Sequence, residues 1–110
     1  MSTGKGIRRQ KRIAYVGPIR ISWEDQGQPR FALAKCLDIS EAGVRIEAPQ
    51  PVRIGSTIQL AAERIKLAGS ATVKNVVRNG SKYLLGVQLN RAMLGQAITE
   101  IESRPLVSVP

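Results

Sequence analysis

Between Pro18 and Gln88 the chain consists of short runs in which apolar and polar side chains alternate, each stopped by Gly, Pro or Asn. Alternation at period two sends successive side chains to opposite faces of an extended strand, whereas a helical face repeats near 3.6. Ile19, Ile21 and Trp23 alternate with Arg20 and Ser22, and Gly27, Gln28 and Pro29 read as the turn that follows. In the second run Phe31, Leu33 and Leu37 share one face, with Ala32, Ala34 and Cys36 on the other. Asp38 to Gly43 is a polar break, after which Val44 and Ile46 alternate with Arg45 and Glu47 until Pro49 and Pro51. Ile58 and Leu60 belong to a fourth strand. A long run from about Ile65 to Arg78 keeps the phase Leu67, Gly69, Ala71, Val73 and then slips to Val76. A one-residue slip predicts a β-bulge. Asn79-Gly80 predicts a hairpin with a type I′ turn, and Tyr83, Leu85, Val87 and Leu89 form the last strand.

Six such strands predict an all-β fold, a small antiparallel β-barrel, because closure removes exposed edges. The period then changes: Met93, Leu94, Ala97, Ile98 and Ile101 fall at helical spacing, and Pro105 ends the pattern. The expected organisation is a flexible basic N-terminal arm over residues 1–17, a barrel over 18–90 and a C-terminal α-helix over 91–104. With 110 residues, these make a single domain.

Composition excludes several classes of chemistry. Histidine is absent and Cys36 is the lone cysteine, so a His-based triad, a His-ligated metal, a cysteine zinc cluster and an intramolecular disulfide are ruled out. Cys36, on a face of small residues, reads as a core thiol and not a nucleophile. No nucleophile–base pair or phosphate-binding glycine loop is present, so no enzyme activity, cofactor or metal is expected. The N-terminus is polar and basic, and no apolar stretch is long enough for a signal peptide or a membrane span. The expectation is a cytoplasmic protein without membrane insertion, in which Asn79-Gly80-Ser81 is not a glycosylation site.

The net charge is +9. Much of it sits at one end, where Lys5, Arg8, Arg9, Lys11 and Arg12 occur with no acid among them. That concentration calls for a polyanionic partner or serves only as a solvated tail. Arg8-Arg9-Gln10-Lys11-Arg12 contains R-x-x-x-R, and Asp38-Ile39-Ser40-Glu41-Ala42-Gly43 has the pattern [D/N]-x-S-x-x-G. Asp, Ser and Gly also build ordinary turns, so the second pattern has a purely structural reading too.

In this order, on a six-stranded barrel, the two motifs resemble the PilZ domain family, bacterial receptors for the second messenger cyclic di-GMP. The resemblance runs from about Ile7 to the C-terminal helix and includes Gly86-Val87-Gln88-Leu89, where the family often has Phe in place of Leu89. It implies a receptor whose ligand-binding residues are Arg8, Arg9, Arg12, Asp38, Ser40 and Gly43. The chemistry suits the ligand. Guanine shows two acceptors, O6 and N7, on one edge, and a planar guanidinium meets them with two parallel hydrogen bonds. Its N1–H and N2–H₂ donors suit the carboxylate of Asp38, Ser40 can bond a phosphate or base edge, and Gly43 lets the backbone come close.

The arm has only Met1 and Ile7 as large apolar groups in its first twelve residues, so binding is expected to order it over the barrel and thereby signal to a downstream protein partner. Two alternatives stay open. One is a small basic β-barrel that binds nucleic acid, although four aromatic residues are few for stacking platforms and Tyr15, Trp23, Phe31 and Tyr83 are more easily spent in the core. The other is a ligand-independent PilZ-like adaptor that acts by protein contact, against which the intact motifs speak.

Overall fold

Residues 12–103 are described by the computed structural model. In them each alternating run becomes a strand: β1 Ile13–Asp25, β2 Gln28–Ser40, β3 Gly43–Ala48, β4 Thr57–Ala62, β5 Leu67–Asn79 and β6 Lys82–Gln88. A single 3-10 turn, Glu63–Ile65, links β4 to β5, and a helix α1, Arg91–Glu102, follows β6. All pairings are antiparallel, and the ring closes in the order β1-β2-β3-β6-β5-β4, with β4 returning to β1. The all-β barrel with a C-terminal helix read from the alternation is the fold observed.

One face of every strand fills the barrel. Ile19 and Ile21 from β1, Ile58 and Leu60 from β4 and Leu85 and Val87 from β6 are all buried together. Burying one such side chain stabilises by about 1.5–3 kcal/mol, whereas an exposed ion pair gives about 0–1 kcal/mol. The inner face therefore holds the fold, and the surface ion pairs are free to serve other ends. Helix α1 is capped by Asn90, whose side-chain oxygen accepts from the backbone N–H of Ala92 at 2.7 Å and of Met93 at 3.4 Å. The helix closes one end of the barrel through Leu94 and Ala97. Gly69 makes the notch into which it fits, because a Cβ there would collide with the Met93 methyl.

Three local expectations need correction. First, the barrel begins at Ile13 and not after Pro18, so residues 13–17 belong to β1 and not to an arm. Pairing runs Ile13 with Ile39 and Ala14 with Asp38, then resumes at Gly17 with Cys36. A bulge at Tyr15 and Val16 absorbs the irregularity that Gly17-Pro18 announces, and Tyr15 folds back over Gly17.

Second, one of the aromatics expected in the core lies outside it, because β2 turns its small side chains inward, as the core reading of Cys36 implies. Ala34 and Cys36 are buried while Phe31 is 65% and Leu33 69% exposed, so Phe31 is not a core aromatic. The strand opposite explains the choice: Ile19 and Ile21 face Ala34 and Ala32, and two bulky rows would overfill the interior.

Third, the turns shift. Gln26 and Gly27, both at positive φ, form the β1–β2 connection, and Gln28 and Pro29 are already in β2. In the β5–β6 hairpin the loop is Gly80-Ser81, with positive φ at Gly80 and not at Ser81, the pattern of a type II′ and not a type I′ turn. The expected slip in β5 is present between Val73 and Asn75.

Candidate functional site

One lateral row of the barrel carries the site. Ala14 of β1 pairs with Asp38 of β2, Asp38 with Arg45 of β3, Arg45 with Gly86 of β6, and Gly86 with Asn75 of β5. Two bulges turn the polar members of this row, Asp38 and Asn75, outward. Cys36 points into the core, so in a regular strand Asp38 would follow it inward; the extra residue Leu37 reverses the phase and sends Ile39 inward instead. The same device acts in β5. Val73 is buried, Lys74 is the extra residue, and both Lys74 and Asn75 are exposed.

Asp38 is the electrostatic centre. Its side chain is only 13% exposed and lies between two guanidinium groups, with Arg12 Nη1 3.4 Å from Oδ1 and Arg45 Nε 3.2 Å from Oδ2. Arg12 immediately precedes Ile13, whose pairing with Ile39 delivers it beside the β2–β3 turn. In that turn Ser40 Oγ accepts the backbone N–H of Ala42 at 3.0 Å, which leaves the hydroxyl proton to donate elsewhere. Gly43, paired with Ser40, is required for close approach, because a Cβ would run into the carbonyl oxygen of Val87 on β6. Beneath the row Cys36 is fully buried, and burial first, then the charge of Asp38, pushes its thiol pKa up to about 12. It is a core residue, as its small-residue face suggests.

These side chains bound a cleft of about 290 Å³, with Arg12, Asp38 and Ser40 on one side, Lys74 and Asn75 on the other and Gly86 in the floor. Of the six residues singled out by sequence, the structure brings together Arg12, Asp38, Ser40 and Gly43; Arg8 and Arg9 lie outside the described residues. Arg45, Lys74 and Asn75 were missed. Arg45 could have been found by alternation, two positions beyond Gly43 on the outward phase, and Lys74 and Asn75 by the bulge that the slip in β5 announced. A larger trough of about 640 Å³ lies over β1, β2 and β4 beside Phe31 and Leu33. It is mainly apolar, and its one cation, Arg20, is bonded to Glu63 at 2.8 Å. Polar groups converge on the row and not on the trough. Among the described residues, no group of three or more His, Cys, Asp or Glu could hold a metal ion, and no helix is long and apolar enough to cross a membrane.

No curated protein sequence matches the chain. Among solved structures, MrkH, a c-di-GMP-dependent transcription regulatory factor, matches with a TM-score of 0.62 and 13% identity over 90% of this chain and 52% of that one. The chain thus spans about half of MrkH, and at that identity the likeness is one of fold. A family model of the PilZ domain matches residues 7–103, a span that includes Arg8 to Arg12, the Asp38–Gly43 turn and the whole barrel, so the chain belongs to the PilZ domain family.

Proposed function

We propose that this chain is a receptor for cyclic di-GMP. The observation that carries the reading is the placement of Asp38 on the outer surface beside Arg12, in one cleft with Ser40 and Gly43. A carboxylate for the guanine N1–H and N2–H₂ edge and a guanidinium for the O6 and N7 edge then sit within one ligand's reach. Membership of the PilZ family supports the same ligand. The shelf, at about 290 Å³, is small and open for a molecule with two nucleobases and two phosphates. Arg8 and Arg9, which precede Arg12 in the chain, supply the missing side by closing over the bound ligand. Binding is thereby coupled to ordering of the N-terminal segment, and the ordered segment is what a downstream protein reads. The protein acts in the cytoplasm and as a binding protein: the shelf offers a ligand complementary charge and no nucleophile activated by a base.

Calorimetric titration of the full chain with cyclic di-GMP, cyclic di-AMP and GTP tests the reading. Saturable binding of cyclic di-GMP, with one ligand or a stacked pair per chain and much weaker binding of the other two, is the expected result. Absence of cyclic di-GMP binding, or equal binding of all three, sinks it.

A further inference from the structure

The cleft has a second wall that neither motif contains. Lys74 and Asn75 stand side by side on β5 because the bulge there sets two successive residues toward solvent, where a regular strand would present one. Asn75 belongs to the row that carries Asp38, three strands away through Arg45 and Gly86. At about 4.8 Å per strand, the two residues stand about 14 Å apart along the sheet, with Gly86 next to Asn75. The Asn75 carboxamide leans over that glycine: a Cβ on Gly86 would lie 2.7 Å from its Oδ1 and 2.9 Å from its Nδ2. Neither polar atom of Asn75 is hydrogen-bonded among the described residues.

The charges on the two walls differ in their commitments. Arg12 and Arg45 are both tied to Asp38. Lys74 lines the cleft with no ion-pair partner among the described residues. An ammonium left without a counterion beside a cleft is a site for an anion, and lysine binds phosphate as a point charge. A carboxamide presents a donor and an acceptor in one plane, which matches the adjacent O6 and N1–H of a guanine.

We propose that Lys74 and Asn75 form the far wall of the ligand site, Lys74 holding a phosphate and Asn75 the edge of a nucleobase. The proposal rests on the receptor reading above and adds to it the residues that hold the half of the ligand farthest from Asp38. The bulge is then a positioning device matched to the one in β2: each reverses the phase of its strand so that one wall faces the other.

The test compares the full chain with Lys74→Ala, Lys74→Arg, Asn75→Ala and Gly86→Ala, titrated with cyclic di-GMP and cyclic di-AMP over a salt series. Lys74→Ala is expected to weaken cyclic di-GMP binding roughly tenfold and to flatten its salt dependence, and Lys74→Arg to restore both. Asn75→Ala is expected to weaken it by a similar factor and to narrow the preference over cyclic di-AMP, which a packing role for Asn75 would not do. Gly86→Ala, which displaces the carboxamide and raises the floor, is expected to weaken binding while the melting temperature reports a folded barrel. Wild-type affinity, salt slope and selectivity in the Lys74 and Asn75 variants overturn the far wall and leave the receptor reading intact. Failure of the unaltered chain to bind cyclic di-GMP overturns both.

Discussion

Arg45 and Asp38 are paired twice: their backbones face each other in the β2–β3 ladder, and Arg45 Nε lies 3.2 Å from Asp38 Oδ2. With Arg12 on the other oxygen, the carboxylate is aimed before any ligand arrives. Asp38→Asn keeps the shape and removes the charge. Cyclic di-GMP affinity should fall by about 1–3 kcal/mol. Stability should change by no more than about 1 kcal/mol, because both arginines are about half exposed and rehydrate. Calorimetry and thermal melts of the same samples check this; a lowered melting temperature with unchanged affinity would return Asp38 to a structural role.

Arg12→Ala and Arg8→Ala should each cost about 1–3 kcal/mol of binding. For Arg12 the ligand-free melting temperature should hardly move, since its side chain is 56% exposed and its ion pair is a surface one. Unfolding of the Arg12 variant, or unchanged affinity in either, would show that the arginines are not the clamp.

Ser40 and Gly43 should separate by mechanism. Ser40→Ala leaves the Ala42 N–H without its acceptor, a loss of about 1 kcal/mol, or about 4–8 °C in melting temperature for a domain of this size. Gly43→Ala drives a methyl group into the Val87 carbonyl and forces the β3–β6 ladder apart. That variant should melt far lower than Ser40→Ala, or not fold, by circular dichroism. Equal melting temperatures for the two would contradict the close packing at Gly43.

Cys36 supplies a pH prediction. Its folded thiol keeps its proton up to about pH 12, whereas an unfolded one ionises near 9.0. Between those values the unfolded chain releases a proton that the folded chain retains, so folding weakens as pH rises; below about 9 this contribution is fully present. Denaturant midpoints at pH 8 and pH 10.5 should therefore drop further for the wild type than for Cys36→Ala. Thiol reagents at pH 8 should leave the folded protein unlabelled and react once it is unfolded.

Hydrogen exchange tests the coupling of binding to the N-terminal segment. Ile13 and Ala14 are already paired with Ile39 and Asp38, so amides from β1 onward should be protected without ligand. Cyclic di-GMP should slow exchange in the residues before Ile13, which carry Arg8 and Arg9. Exchange there that is the same with and without ligand defeats the ordering mechanism while leaving the ligand assignment open to the titration.

Strand number, the barrel and the C-terminal helix were legible because inner-face alternation follows from backbone geometry alone. Ile19, Ile21, Val44, Ile46, Ile58 and Leu60 announce their burial in this way. The small-residue face of β2 marked its inward side through Cys36, but the place of Phe31 was not legible in the same manner. Phe31 looks like a core aromatic by its size until Ile19 and Ile21 of β1 are seen to fill the interior opposite Ala34 and Ala32. The motif turn could be read as a local unit, with Ser40 bonding its own backbone. Arg45 and Asn75 lie in strands three and five of the sequence, and only the register of three ladders places them with Asp38. Lys74 was visible as a slip in periodicity, but a slip says that a residue is extra and not what it faces.

The row from Ala14 to Asn75 takes one residue from each of five strands, so no hairpin or half-barrel contains the site. A partly folded chain thus offers its ligand almost nothing to hold. The ligand then discriminates between the complete ring and everything else, and its free energy of binding adds to global stability without being diluted by affinity for intermediates. At a free concentration one hundred times the dissociation constant that addition is about 2.7 kcal/mol. It acts as a strap across staves joined only by their neighbours, so messenger concentration would set not only the signalling state of such a protein but also how long each copy survives local proteolysis.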